Sequence, residues 1–257
     1  MVRAIFFDID GTLLSFRTHK MAKSTIEALN TLRDKGIKLF VATGRHKSEA
    51  TILDKYFSFD GYVTLNGQYC FDSEKIIYKK SINKKDIEKV VEQTKKKLYS
   101  CYFVDENELF VSHINDEVKS ICDLVNVNIP KVCDSSIALD KDIYQLVVFL
   151  KKENENILFD ATKELDGTRW HDAFMDVVPK GGSKKVGINK LLNHYKISSD
   201  EIMAFGDGGN DIPMLELAGI GVAMGNAKDE VKNIADYTTT DVDNDGIMNA
   251  LKYFKVI

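Results

Sequence analysis

Short apolar runs, bounded by glycine and by acidic or small polar residues, recur through this chain, and segments of helical periodicity separate them. Ala4–Phe7 is apolar without a break, which predicts a strand buried on both faces. A helix is expected to open at Ser24, where Glu27 three residues later completes a capping box. Ile26, Leu29 and Leu32 form its apolar face, and Gly36 ends it. Residues 37–41 read as the next strand. Strand, helix and strand within about 40 residues make a βαβ unit and a parallel pair. Residues 62–65, 68–71 and 76–78 predict an antiparallel extension, with Asn66-Gly67 as a hairpin turn. Towards the other end, Ile188, Leu191, Leu192 and Tyr195 mark a helix with Ser183 as its cap. Residues 201–205, 220–222 and 237–238 read as further strands, with a helix at Ile212–Leu217 between the first two.

From Asn83 the pattern changes. A Lys- and Glu-rich helix carries Ile87, Val90, Val91 and Leu98. Short strands follow at 101–104, 109–112, 144–150, 168–170 and 174–178, with helices near 116–125 and 153. This is the pattern of an inserted α+β domain over residues 83–182, which leaves 1–82 and 183–257 as one core. The sequence shows no repeat and no low-complexity tract.

The chemistry gathers where the core strands end. Asp8 and Asp10 follow the first run, and they would share a face if extended geometry continued through Asp10. In open α/β sheets, ligands bind beyond the carboxyl ends of the strands. Two carboxylates placed together call for a cation or a shared proton. That suits a metal-assisted reaction with one nucleophilic oxygen and one proton shuttle. The second strand runs into Thr43-Gly44-Arg45, a hydroxyl, a flexible backbone and a cation suited to an anion. Lys184 falls at a helix N-terminus, where the helix dipole disfavours a cation, and this hints at an anionic partner. Residues 201–205 lead into Gly206-Asp207-Gly208-Gly209-Asn210-Asp211, oxygen donors suited to Mg²⁺.

Other readings fail on spacing. An EF-hand loop from Asp8 would put Leu13 at its glycine position, and one from Asp241 would put Lys252 at its bidentate acid. The latter reads as an acidic turn before the last helix. No Walker phosphate loop is present. A net charge of −4 supplies no basic field for nucleic acid. No apolar run is long enough to span a bilayer, and Asp8 and Asp10 interrupt the N-terminal run too soon for a signal peptide. Cys70, Cys101, Cys122 and Cys133 form no C-x-x-C pair, so zinc is not expected and reduced thiols are. A cytoplasmic protein is the expectation.

Together, Asp8-Ile9-Asp10-Gly11-Thr12, Ala42-Thr43-Gly44-Arg45, Lys184, the 206–211 segment and Asp245-Gly246-Ile247 resemble the haloacid dehalogenase superfamily, Cof-type (subclass IIB), over essentially the whole chain. The resemblance implies an α/β fold, a Rossmann-like parallel-sheet core with an α+β cap inserted in it. It implies a Mg²⁺-dependent phosphatase acting on small phosphorylated metabolites, most simply sugar phosphates, through an aspartyl phosphate. By resemblance, Asp8 is the nucleophile and Asp10 the acid and base. Thr43, Gly44, Arg45, Lys184 and Asn210 attend the phosphate. Asp8, the Asp10 carbonyl, Asp207, Asn210 and Asp211 attend the metal. The cap would close to exclude water and select the substrate. A phosphosugar mutase and a non-catalytic phosphometabolite-binding module are the alternatives.

Overall fold

The computed structural model describes residues 1–125 and 127–257, the side chains of Val125 and Trp170 excepted. Contacts divide the chain into two units, residues 1–78 with 183–257, and residues 79–182.

The first unit holds β1 (Ala4–Phe7), β2 (Lys38–Ala42), β3 (Gly61–Thr64), β4 (Tyr69–Phe71) and β5 (Ile76–Lys79). The second holds β6 (Ser100–Val104), β7 (Leu109–Val111), β8 (Lys131–Val132), β9 (Gln145–Phe149), β10 (Leu165–His171) and β11 (Phe174–Pro179). The chain returns to the first unit with β12 (Ile202–Gly206), β13 (Ile220–Ala223) and β14 (Tyr237–Thr238).

In the first unit the strand order is β14-β13-β12-β1-β2-β3-β4-β5. The pairs from β14 to β3 are parallel, and β4 runs antiparallel to β3. The apolar character of β1 follows from this central position, because both of its faces are covered. Ile5 and Phe7 enter one core with Ala28, Leu29 and Leu32 of the helix Lys23–Asp34 and Ile247, Ala250 and Leu251 of the helix Gly246–Tyr253. Ala4 and Phe6 enter the other core with Ile188, Leu191 and Leu192 of Lys184–Tyr195 and Met214 and Leu215 of Ile212–Leu217. The alternation of a strand's side chains thus builds two helix layers on one sheet, a Rossmann-like arrangement.

The second unit is α+β, with strand order β10-β11-β9-β6-β7-β8. Its pairs from β10 to β7 are antiparallel, and β8 joins β7 in parallel. Cys101, Phe103, Leu146, Val148, Met175 and Val177 pack on one face with Ile87, Val90 and Val91 of the helix Lys84–Lys95.

Local expectations fail where tertiary contacts take over a side chain. The helix expected at Ser24 begins at Lys23 and has no side-chain cap; the Ser24 hydroxyl donates to Asp245 instead. Ser183 occupies the cap position of Lys184–Tyr195, but its side chain makes no cap bond. The two-residue hairpin expected at Asn66-Gly67 is a longer turn, because Thr64 pairs with Tyr69 and residues 65–67 all turn at positive φ. The short parallel strand β8 and the 3₁₀ segment Ser135–Asp140 have no counterpart in the apolar pattern. At 242–244 the acidic turn is 3₁₀, with the Asp241 side chain accepting from the Asp243 amide.

Candidate active site

β1, β2 and β12 are neighbours, so the loops leaving their carboxyl ends meet. Strand geometry stops at Phe7, and the chain turns tightly: the amides of Leu13 and Leu14 donate to the Ile9 carbonyl at 3.0 and 2.8 Å. Asp8 and Asp10 therefore engage different cations. Asp8 Oδ1 accepts from Lys184 Nζ at 2.6 Å. Asp10 receives the Arg45 guanidinium through both oxygens, Nε to Oδ2 at 2.7 Å and Nη2 to Oδ1 at 2.6 Å.

Lys184 has no exposed surface. Its three donors go to Asp8 Oδ1, Asp211 Oδ1 at 2.6 Å and the Ala42 carbonyl at 2.8 Å. A cation at the first position of a helix is tolerable here because its side chain leaves the helix for two carboxylates. Burial alone would lower the pKa of this ammonium, but Asp211 and Asp8 outweigh it and hold the group firmly protonated. Asp211 is braced on its other side, where Oδ2 accepts from the amides of Asp207 and Gly208 at 2.9 and 2.8 Å.

Asp207 leaves the end of β12 and is steadied by Thr12, whose hydroxyl donates to Oδ1 at 2.8 Å. Gly11 makes room for it. With φ at +84°, a Cβ at this position would stand 2.2 Å from Asp207 Oδ2. Burial pushes the Asp8 carboxyl up to about 7, against the pull of Lys184 and with help from the charges of Asp211 and Asp10. Burial also raises Asp207 well above the usual range, and Asp8 and Asp211 add to it.

Carboxylate oxygens of Asp8, Asp207 and Asp211 lie within 4.8 Å of one another. Three acidic groups crowd one ammonium, and the raised pKa values of Asp8 and Asp207 show that the cluster lacks positive charge. The donor set is all oxygen, so it fits a hard divalent cation such as Mg²⁺.

Thr43 is buried at the end of β2, where its hydroxyl oxygen accepts the Arg45 amide at 3.1 Å. Gly44 lies between them, partly exposed. Asn210 is turned towards Asn66, its Nδ2 donating to Asn66 Oδ1 at 3.0 Å. Thr12 and Asn66 are site-forming residues that sequence reasoning did not single out. Thr12 lies inside the first motif; Asn66-Gly67 reads from sequence first as a hairpin dipeptide and only second as backbone at the edge of the site, with no role for the Asn66 side chain.

A Rossmann-like sheet with a buried lysine among three acids at its carboxyl edge defines a class, and comparison with known proteins identifies it. Residues 5–251 match the model of the haloacid dehalogenase-like hydrolase family, and the chain belongs to that family. The sugar phosphatase BT4131, of haloacid dehalogenase subclass IIB, is 42% identical with a TM-score of 0.93 over all of both chains. YkrA of Bacillus subtilis (strain 168), a phosphatase by its provisional name, is 32% identical over 255 residues, 97% of this chain and 96% of YkrA. HMP-PP phosphatase of Yersinia pestis (strain Pestoides F) is 30% identical over 250 residues, 90% of this chain and 87% of that protein. The protein is a phosphoric monoester hydrolase of the subclass IIB, Cof-type group. Among the described residues, no helix is long and apolar enough to cross a membrane.

Proposed function

We propose that the protein is a Mg²⁺-dependent phosphatase of small phosphorylated metabolites, sugar phosphates first among them, working through an aspartyl phosphate on Asp8. The observation that carries this reading is Lys184, fully buried and bonded to both Asp8 and Asp211. A buried ammonium among carboxylates is costly to build unless charge must be managed there. BT4131, a sugar phosphatase, supports the substrate class by its similarity over the full chain.

Asp8 and Asp207 would hold Mg²⁺, with the Asp10 carbonyl, Asn210 and Asp211 beside them. When bound, the metal would neutralise charge on the phosphoryl oxygens and on the acids around them. This chain's residues supply the rest. A carboxylate oxygen of Asp8 attacks phosphorus as the P–O bond to the alcohol breaks, and Asp10 delivers a proton to the departing oxygen. Water then attacks the aspartyl phosphate and gives its proton to Asp10. The bond from phosphorus to Asp8 breaks, which frees inorganic phosphate and restores the acid. Thr43 donates to the phosphoryl oxygens, and Lys184 joins it when a phosphoryl oxygen replaces one of its three acceptors, as phosphoryl transfer asks mainly for position and charge.

Arg45 has a defined part in this sequence. The guanidinium holds both oxygens of Asp10 and so competes with the leaving group for them. One of those bonds must open before the acid step, and an arriving phosphate is the anion able to draw Arg45 away. The test is phosphate release from a panel of phosphorylated metabolites, with Mg²⁺ and with EDTA, beside Asp8→Asn. Release that needs Mg²⁺ and disappears in Asp8→Asn is the expected result. No release from any substrate would refute the reading, and isomerisation primed by a bisphosphate would mark a mutase instead.

A further inference from the structure

The turn after β3 is built unlike an ordinary hairpin. Leu65 and Asn66 both have positive φ, 52° and 49°, and Gly67 follows at 92°. Asparagine tolerates this region and glycine is at home in it, but a buried leucine is not. Such a conformation persists only where surrounding contacts hold it, and here the contacts lead to the site. The Asn66 amide donates to the Thr43 carbonyl at 3.0 Å, and the Leu65 amide to the Arg45 carbonyl at 3.3 Å. Gly67 lies so close to the residue before Lys184 that a Cβ would stand 2.1 Å from the Ser183 carbonyl oxygen. Asn66 Oδ1 accepts from Asn210 Nδ2. The fully buried Gln68 braces the same peptide, its Nε2 donating to the Asn66 carbonyl at 3.1 Å. One strained turn thus touches the loops that carry Thr43, Arg45, Lys184 and Asn210.

We propose that Asn66 is a positioning residue for Asn210: by taking the Asn210 amide hydrogen, it turns the Asn210 carbonyl oxygen towards the carboxylates of the site. The side-chain amide has two chemically different ends, and only its oxygen can serve a cation. Without an acceptor at Asn66, the amide turns over and presents its NH₂ group part of the time. The inference rests on the phosphatase reading above and adds a residue to it.

The test separates the backbone of Asn66 from its side chain. Asn66→Gly keeps the positive φ at no steric cost and removes the acceptor. Calorimetric titration of Mg²⁺ would be compared in the wild type, Asn66→Gly, Asn210→Ala and the double variant, with kcat and KM on the best substrate alongside. The expected result is about threefold to tenfold weaker Mg²⁺ binding in Asn66→Gly, the range of one lost hydrogen bond, with a melting temperature close to the wild type's. In the Asn210→Ala background, Asn66→Gly should change the Mg²⁺ affinity less than twofold. The Asn210 side-chain amide signals in an NMR spectrum should exchange faster with solvent in Asn66→Gly, a readout independent of metal and turnover. Unchanged affinity and exchange in Asn66→Gly would overturn the inference, and so would effects that multiply fully in the double variant. A wild type that neither binds Mg²⁺ nor releases phosphate would overturn the phosphatase reading first, and this inference with it.

Discussion

Replacing Lys184 by methionine removes the charge at the centre of the site and keeps most of the side-chain length. The structure sets the size of the effect. Lys184 and Asp211 are fully buried, Asp8 is nearly so, and both ion pairs are 2.6 Å long. At an effective permittivity near 20, Coulomb attraction at that distance is ~6 kcal/mol per pair before desolvation is subtracted. Measured losses on removing one partner of a buried pair are about 3–5 kcal/mol, because the other charge is left buried and unpaired. For a unit of about 150 residues this is a fall in melting temperature of roughly 10–15 °C. The loss should depend on pH with a definite sign. The folded-state pKa of Asp8 is already raised from 3.8 to about 7, so the folded protein binds the extra proton between those values. Stability from this group therefore falls as pH rises through the window. Without Lys184 the pKa of Asp8 rises further, so Lys184→Met should suffer most at pH 8 and less at pH 5, where Asp8 is neutral. Thermal melts in EDTA at the two pH values test this, with Mg²⁺ added in a third arm to restore part of the loss at pH 8. A variant that melts within about 3 °C of the wild type at pH 8 would refute the reasoning, as would a loss of equal size at both pH values.

Three more outcomes follow from the same geometry. The wild type in EDTA should lose stability from pH 5 to pH 8, with Asp8 contributing up to ~4 kcal/mol over its full window and Asp207 adding in the same direction; Asp8→Asn or saturating Mg²⁺ should make the fall shallower, and calorimetry that shows the same slope in all three samples would contradict it. Gly11→Ala places a methyl group 2.2 Å from Asp207 Oδ2 and must displace that carboxylate; kcat/KM should drop about 100-fold, and steady-state kinetics within threefold of the wild type would count against the assigned place of Asp207. Arg45→Ala removes the cation that an arriving phosphate draws away from Asp10, so KM should rise by about 10- to 100-fold while kcat changes less; an unchanged KM would mean that Arg45 serves Asp10 alone.

Much of this protein was written locally. The apolar run of β1, the helical spacing of Ile188, Leu191 and Leu192, and the acids and glycines at strand ends are patterns over a few residues. They follow from the periods of strand and helix, which the chain fixes before it folds. The order of strands and what meets at their ends are different. Placing β12 beside β1 brings Asp207 to Thr12 across 195 positions and Lys184 to Asp8 across 176. No short pattern shows that Ser24 gives up its cap for Asp245, or that Arg45 spends its fork on Asp10. Asn66-Gly67 is the clearest instance. As a dipeptide it satisfies a hairpin, and only the packed loops turn it towards Asn210. Short patterns in the chain placed acids, a hydroxyl and a lysine where the core strands end, without Thr12 or the Asn66 side chain. The tertiary structure decided which of them touch, because buried charges and amides must find partners, and the sheet's strand order decides which are within reach.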